Sequence, residues 1–273
     1  MKSRQLFLFC ALWLSTSLSA QFNGTCGNNL TWSLSGGILT VSGTGNMTDW
    51  NGFPYVPWVD VRQTINQVII NPGVTNVGEY AFWDCENLTS VTIPNSVTKI
   101  GMYSFMLCDK LSSVFIPNRV DTIGNYAFAG CTSIPSVSIP NSVKHIGTQA
   151  FDGCSSLTNL ELGTDVATIE RYAFLRCRNL RAIYSFAPRP PVLEYGAFEN
   201  VDKSIPLYVI TSSVPLYQAA DGWKDFTNII GSLSAVETIT AEESATKKLF
   251  DNGQLYILLP NGIRFDSTGQ RIK

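Results

Sequence analysis

Apolar and polar positions recur with one fixed period in the middle of the chain. Across residues 88–156, three segments of 23 residues follow one another without a gap, and each carries a cysteine at the same position. A unit of this size cannot bury its apolar face alone, so it must stack on a neighbouring unit of the same kind. The pattern therefore predicts a solenoid in which each unit forms one rung.

Within one unit, the apolar positions indicate the path of the backbone. Val91 and Ile93 alternate with polar neighbours, as in a half-buried strand. Pro94 then favours a turn, because proline has no N–H group with which to continue a ladder. An extended piece that ends at Ile100 follows, and the inward spacing around Phe105 predicts a single helical turn. Each rung should therefore consist of a strand, a turn, a second extended piece and a helical turn.

The period extends beyond these three segments in both directions. Residues 65–87 and 157–179 keep it, and residues 180–204 form a sixth, distorted unit that is one residue longer before Phe198 and has Val201 where cysteine would stand. The consensus is L-x-x-V-x-I-P-N-S-V-x-x-I-G-x-x-A-F-x-x-C-x-x, and it resembles the BspA-like branch of the leucine-rich repeats, which are found on bacterial cell-surface proteins. The resemblance implies a leucine-rich-repeat solenoid, a right-handed β/α superhelix of mostly short strands and short helical turns.

The ends of the array predict caps. Two alternating stretches, 30–34 and 38–42, flank a Ser–Gly–Gly turn and predict a β-hairpin that covers the first rung. A last strand and a helix over 214–226 should close the other end. The expected organisation is a signal peptide at 1–20, an N-terminal β-hairpin cap at 21–64, six repeats at 65–204, a helical C-terminal cap at 205–231, a linker at 232–248 and a small β tail at 249–273.

The N-terminal segment has the organisation of a secretory signal. Lys2 and Arg4 precede a short apolar run at 6–14, and small residues follow. The apolar run is shorter than the roughly 18–20 residues that a membrane-spanning helix needs, so no membrane span is expected. We therefore expect an exported chain that begins near Gln21 and is secreted or held at the cell surface.

The C-terminal tail fits two interpretations. Its sequence predicts two short strands about Pro260, Asn261 and Gly262 and a third strand further on, because Asn–Gly is a strong hairpin signal. In outline the tail is similar to the C-terminal sorting tails of proteins secreted by Bacteroidetes. An extra pair of strands packed on the cap explains the same pattern equally well.

Charge narrows the classes of function. The chain has 19 basic and 21 acidic residues, and loss of Lys2 and Arg4 with the signal makes the balance more acidic. A nucleic-acid binder needs a basic face, so no nucleic-acid partner is expected. A hydrophobic fraction of 45% and a charged fraction of 15% are typical of a folded chain.

Five cysteines share one inward column of the repeats: Cys85, Cys108, Cys131, Cys154 and Cys177. They predict a ladder of small buried side chains, because zinc ligands need short spacings and this chain has a single histidine. Disulfides between rungs are the alternative, since neighbouring strands lie about 4.8 Å apart. In-register side chains keep their Cβ atoms further apart than the roughly 3.8 Å that a bridge prefers, so we favour free thiols. No metal or other cofactor is predicted.

The sequence gives little support for a catalytic site. His145 is the only histidine and stands at a polar position beside Lys144, so a catalytic triad would have to be built around it. The carboxylates of the fifth unit, Glu161, Asp165 and Glu170, have no facing set of partners. We therefore expect a protein that is not an enzyme.

Two columns of side chains are candidate binding surfaces. On the strand face, the outward column contains Phe115, Glu161 and Tyr184, and the two aromatic rings are expected to be exposed. The second column lies beside the helical turns and consists of Tyr80, Tyr103, Tyr126, Gln149 and Tyr172. Tyrosine suits interfaces because it combines apolar area with a polar tip, but a stripe of tyrosines can also pack corner against corner.

The expected function is adhesion. The family resemblance implies binding to host matrix proteins or other cells, so the partner should be an extracellular protein or a glycan. The alternative is a glycan-binding accessory protein that uses aromatic residues of the N-terminal cap, namely Trp50, Phe53, Tyr55 and Trp58. Those aromatic residues could instead pack the cap onto the first rung.

Overall fold

Five of the six repeat units contribute one strand to each of two sides of the molecule, the unit of Phe115 contributes a strand to one side, and turns form the third side of the rung. The computed structural model describes residues 22–233, 247–251, 254–258, 264–265 and 271–272. The predicted signal peptide at 1–20, most of the predicted linker and the tail residues Pro260, Asn261 and Gly262 lie outside the described residues.

The strands are, in chain order, β1 (Phe22–Gly27), β2 (Leu30–Ser35), β3 (Ile38–Gly43), β4 (Gly45–Asn46), β5 (Gln67–Ile70), β6 (Val74–Val77), β7 (Ser90–Thr92), β8 (Lys99–Ile100), β9 (Thr122–Ile123), β10 (Ser136–Ile139), β11 (His145–Ile146), β12 (Asn159–Leu162), β13 (Thr168–Ile169), β14 (Ala182–Ser185), β15 (Val192–Leu193), β16 (Pro206–Ile210), β17 (Asn228–Leu233), β18 (Lys247–Asp251), β19 (Gln254–Leu258), β20 (Arg264–Phe265) and β21 (Arg271–Ile272). Short 3₁₀ helices span Phe53–Tyr55, Val59–Thr64 and Thr211–Ser213, and the α-helix α1 spans Val214–Ala219.

The strand face carries the first strand of each rung. Neighbouring rungs pair in parallel, so Val68 lies opposite Val91, and Leu160 lies between Val137 and Ile183. All five of these side chains are buried. The fixed period in the sequence therefore becomes a fixed register, which keeps the apolar column on the inner face of the sheet.

The strand face consists of two sheets. One has the order β1-β2-β3-β5-β7 and the other has the order β10-β12-β14-β16-β17. In the described part of the chain, the rung of Phe115 between them joins β7 by an isolated bridge from Ser90 to Ser113. The next side of the rungs carries one continuous sheet, which we call the second sheet, and its strand order is β15-β13-β11-β9-β8-β6-β4. This confirms the predicted second extended piece.

The third side differs from the predicted helical turn. Ala81 N–H donates to Gly78 O within its own rung, at 3.3 Å, but Phe82 N–H donates to Ser104 O of the next rung, at 2.7 Å. A helical turn would keep both bonds within the rung. Tyr80 has a φ of 60°, and this left-handed conformation turns alternate N–H groups toward the neighbouring rung. We call the segments 78–85, 101–108, 124–131, 147–154, 170–177 and 194–201 together the turn face.

A stack of phenylalanine rings fills the core behind the turn face. Ring centroids of successive rungs lie 5.1 to 5.3 Å apart. The stacked residues are Phe82, Phe105, Phe128, Phe151, Phe174 and Phe198. At the ends, Trp58 stacks on the first ring with centroids 5.6 Å apart, and Trp223 lies 5.5 Å from the last. Each cap therefore covers the end of the stack with a tryptophan.

The N-terminal cap confirms the predicted hairpin and adds a rung of its own. β2 pairs with β3 in antiparallel orientation, β3 pairs in parallel with β5, and β4 pairs in parallel with β6. Trp32 and Trp50 contact Trp58 edge to face, with centroids 5.4 and 5.5 Å away. The three indoles therefore take the place of a turn-face segment in this rung.

The C-terminal cap has a shorter helix than the predicted 214–226. α1 ends at Ala219, because Ala220 is extended with a ψ of 138°, and the chain then turns through Gly222 at a φ of 76°. Trp223 and Phe226 follow the helix and are both buried. β16 and β17 extend the parallel sheet past the predicted repeats, and the Tyr217 hydroxyl bonds Ser185 Oγ at 2.6 Å.

The tail forms a small antiparallel sheet in the order β18-β19-β20-β21. Ile257 in β19 pairs with Phe265 in β20 in antiparallel orientation. β18 lies partly within the predicted linker. Among the helices of the described segments, none has the length and apolar content needed to cross a membrane.

Candidate binding site on the turn face

The strand-face column does not form the exposed site that the sequence predicts. Phe115 is 63% exposed, but Tyr184 is 7% exposed and Glu161 is 3% exposed. Tyr184 stacks on Tyr208 with ring centroids 4.8 Å apart, and it packs in a buried cluster with Phe186. The predicted exposure of Tyr184 and Glu161 is therefore wrong, and a partner cannot span Phe115 and Tyr184 on an open surface.

The tyrosine column forms a stack on the turn face. The rings of Tyr80 and Tyr103 lie 4.6 Å apart, and those of Tyr103 and Tyr126 lie 4.7 Å apart and nearly parallel. All three side chains are half-buried. Burial, and then the neighbouring tyrosines, raise the pKa of Tyr103. We call these three residues the tyrosine ladder.

The backbone of the tyrosine ladder is strained. Tyr80, Tyr103 and Tyr126 have φ values of 60°, 58° and 57°, in the left-handed region that costs a residue with a side chain about 1–2 kcal/mol. Bonds between rungs hold this conformation, for example the 2.9 Å bond from Tyr103 N–H to Asn125 O. Stacking between the rings offsets part of the cost, at about 0.5–1.5 kcal/mol for each pair.

The tyrosine ladder ends at Gln149, where a chain of hydrogen bonds begins. The Tyr126 hydroxyl donates to Gln149 Oε1 at 2.7 Å, and Gln149 Nε2 donates to Asp152 Oδ2 at 2.9 Å. In the next rung, Tyr172 lies edge to face with Tyr195, and its ring lies over Gly196, where a side chain would collide with it. The structure therefore separates Tyr172 from the ladder predicted to include it.

Asp152 is the centre of this network. Its side chain is 4% exposed, and it accepts bonds from Arg176 Nε at 2.9 Å and from Arg176 Nη2 at 2.7 Å. This paired geometry suits a guanidinium and a carboxylate. The bond to Asp152, followed by its charge, raises the pKa of Arg176. Arg176 is thus held in one position at the edge of the turn face.

A shallow groove lies beside the tyrosine ladder, where the space in front of Gly153 is open and the Leu107 side chain packs over Gly130. Gly130 and Gly153 stand in a column that Leu107 and Arg176 occupy in the flanking rungs, and all four have positive φ. The resulting groove has a volume of about 550 Å³. Apolar side chains line one end and polar ones the other, the two sets being Met106, Leu107 and Ala129, and Ser155, Arg176 and Arg178. The sequence signal for this groove is the pair of glycines in an otherwise side-chain-bearing column.

The cysteine column is part of the core. The six described cysteines are free thiols and are buried. Cys131 Sγ donates to Phe105 O of the preceding rung at 3.1 Å, and Cys108, Cys154 and Cys177 make the equivalent contact. Burial raises the pKa of Cys85 and of Cys177 from 9.0 to about 12. These thiols remain protonated and are unsuited to nucleophilic chemistry.

Other predicted candidates lie apart from the groove. His145 is exposed on the second sheet between Thr122 and Thr168. In the part of the chain that the structure describes, no three His, Cys, Asp or Glu residues are placed to hold a metal ion. Trp50 and Trp58 are buried in the cap, and Tyr55 is 69% exposed. The two indoles therefore pack the cap onto the first rung and do not form an open glycan platform.

Comparison with known proteins identifies the repeat. The family model of the BspA type leucine rich repeat region matches residues 62–181 in six copies. No curated protein matches the chain.

Solved bacterial structures are similar to this chain at low sequence identity. A leucine rich cell surface protein from Faecalibacterium prausnitzii is 20% identical with a TM-score of 0.52, covering 90% of this chain and 60% of that one. A leucine-rich repeat protein from Eubacterium ventriosum is 18% identical with a TM-score of 0.48, covering 80% of both chains. The T. pallidum leucine rich repeat protein is 21% identical with a TM-score of 0.47, covering 71% of this chain and 90% of that one. The six copies of the family model identify residues 62–181 as a BspA type leucine rich repeat region.

Proposed function

We propose that this chain is an exported, non-enzymatic adhesion protein that binds an extracellular protein through its turn face. The observation that supports this most directly is the tyrosine ladder, whose half-exposed rings lie next to an open groove. Protein interfaces are enriched in tyrosine and arginine, and a few such residues carry most of the binding free energy. Tyr126 and Arg176 both line this groove.

The turn face is also pre-organised for binding. Bonds between rungs fix the backbone of the tyrosine ladder, and Asp152 fixes the guanidinium of Arg176. A surface whose side chains are already ordered loses less entropy when a partner binds. The strand face offers less, because Glu161 and Tyr184 are buried there.

Replacement of ladder tyrosines by glutamine tests this proposal. Gln149 occupies the same column at a φ of 53°, so a Tyr103→Gln/Tyr126→Gln variant should fold. We expect the mature wild-type chain to bind immobilised extracellular-matrix proteins or epithelial cells. The double variant should bind at least about tenfold more weakly, a loss of about 1.4 kcal/mol.

Phe115→Ser is the matched control, since Phe115 is exposed on the strand face. Circular dichroism would establish that both variants are folded. If the control loses binding and the ladder variant keeps it, the site lies on the strand face. If the wild-type chain binds none of the matrix proteins or cells, the adhesion proposal fails.

Export has its own test. The basic start, short apolar run and small residues of the N-terminal segment support cleavage by a signal peptidase. We expect the mature protein outside the cytoplasm to begin near Gln21, as measured by N-terminal sequencing of secreted or surface-released material. A chain that retains Met1 in the membrane fraction would contradict this expectation.

A further inference from the structure

We infer that the groove beside the tyrosine ladder binds an extended peptide segment of the partner, with an apolar residue at one end and a carboxylate about four residues away. This inference rests on the proposed function and specifies the chemistry of its site. The groove runs along the solenoid from Leu107 to Arg176, across the rungs of Gly130 and Gly153.

The length of the groove sets the length of the segment. Leu107 and Arg176 occupy the same column three rungs apart, which corresponds to about 14 Å at about 4.8 Å for each rung. An extended chain advances about 3.3 Å for each residue, so it covers this distance in about four residues. A helix advances about 1.5 Å for each residue and would need about nine.

The polar end of the groove favours an anion. Arg176 uses Nε and Nη2 on Asp152, and its Nη1 forms no hydrogen bond to a described residue. Arg178 forms no ion pair or side-chain hydrogen bond within the described segments, and it is exposed. The side chains that line the groove therefore include two guanidinium groups and one carboxylate, that of Asp152, which leaves a net positive charge. Guanidinium groups of this kind pair well with a carboxylate.

The apolar end of the groove favours a peptide over a sugar. Met106 and Leu107 present thioether and alkyl groups there, and Ala129 forms part of the floor. Sugar hydroxyls placed against these groups would lose hydrogen bonds to water without replacement, which costs free energy. An aliphatic side chain gains free energy by the same contact. The two ends together therefore favour a segment with one apolar and one acidic residue.

Substitutions that occur elsewhere in the repeats make the inference testable. Gly153 has a φ of 72° and open space where a Cβ would stand, its nearest neighbour being Gly130 at 3.9 Å. Gly153→Asn would fill the groove, since asparagine tolerates this backbone conformation. Arg178→Ser removes the free guanidinium and introduces the residue that the previous rung carries, Ser155. Gly36→Asn is the control, because Gly36 has a φ of 57° and open space in the cap hairpin.

The probes are fluorescein-labelled Gly–Ser peptides that contain one Leu and one Asp, in both orders, at separations up to about nine residues. We expect fluorescence anisotropy to show the tightest binding at a separation of about four residues. Gly153→Asn and Arg178→Ser should weaken that binding at least about tenfold, while Gly36→Asn should bind as the wild-type chain does. Thermal melts would confirm that each variant is folded.

Four outcomes would overturn the inference. They are binding without a preferred separation, a preferred separation near nine residues, unchanged binding to Gly153→Asn, and tighter binding of polygalacturonate than of any peptide. If adhesion still depends on Tyr103 and Tyr126 in that case, the proposed function remains supported and only the groove is ruled out as the binding site. Conversely, if the chain binds the peptides but adheres to no matrix protein or cell, the proposed function is wrong and the peptide site remains supported.

Discussion

Single residues that break a column show how closely the core constrains each position. Ser104 stands in an inward column that carries alanine in the other regular repeats, for example Ala81 and Ala127. It is fully buried, and its hydroxyl has no hydrogen-bond partner among the described residues. A buried hydroxyl without a partner costs about 1–3 kcal/mol.

Ser104→Ala is therefore expected to raise the free energy of unfolding by about 1 kcal/mol. The reciprocal change, Ala127→Ser, should lower it by a similar amount, because it places a second hydroxyl in the same dry column. Urea unfolding of both variants measures the two effects. A stabilising Ala127→Ser would mean that the column can satisfy a hydroxyl after all.

The buried thiols link stability to pH. Cys85 and Cys177 have a pKa of about 12 in the folded chain, against 9.0 without burial. Only the unfolded chain ionises them between these values, so their contribution to stability is complete below pH 9 and is lost as the pH rises toward 12. We expect the urea midpoint to fall across this range. It should fall less in a Cys85→Ala/Cys177→Ala variant, and equal slopes would contradict the burial effect.

The sequence correctly predicts which side chains are buried where a column faces inward. The cysteine ladder and the phenylalanine column are buried as their spacing indicates. The burial of Tyr184 and Glu161 is not predicted. Alternation along a strand places both side chains on the outer face, but it does not reveal that this face is covered there. Tyr184 meets Tyr208, which lies in β16 beyond the predicted repeats.

At the scale of elements, the two faces with strands follow from period-2 patterns and the turn face does not. The inward spacing of Ser104, Phe105 and Cys108 fits a helical turn as well as it fits a series of turns. The difference lies in backbone conformation, since Tyr103 and Leu107 both have positive φ. Residues with large side chains rarely adopt this conformation, so local propensity gave no signal for it. The predicted helical turn hides the groove for the same reason, since its column has left-handed residues that the spacing does not indicate.

Strain and stacking in the tyrosine ladder can be separated at Tyr103, which lies between two rings. Tyr103→Ala removes both stacking contacts and keeps the left-handed strain, whereas Tyr103→Gly removes the stacking and most of the strain. We expect the glycine variant to be more stable than the alanine variant by about 1 kcal/mol, as measured by urea unfolding. The reverse order would show that the φ of 58° is not strained in this setting.

At the scale of the whole molecule, the period predicts the solenoid and the caps, but not where its sheets stop. The N-terminal cap contributes β3 and β4 to the two parallel ladders, which the hairpin pattern alone does not show. The strand face then breaks at the rung of Phe115, although its sequence keeps the consensus at every inward position. Repeat arrays are stabilised mainly by contacts between nearest neighbours, so a rung with fewer interstrand bonds is a weak link.

This break predicts a local difference in hydrogen exchange. β7 and β10 are each paired within their own sheet, whereas the intervening rung is joined on this face by the bridge from Ser90 to Ser113 and the bond from Ser112 N–H to Thr89 O. Amides exchange faster where the structure opens at lower free energy. We expect the amides of Val114 and Phe115 to exchange faster than those of the same columns in β7 and β10. The amides of β9 should remain protected, because β9 pairs on both edges in the unbroken second sheet. Exchange at Val114 as slow as that in β10 would show that the rungs on either side hold this one closed, and the solenoid would then unfold with no preferred point of opening.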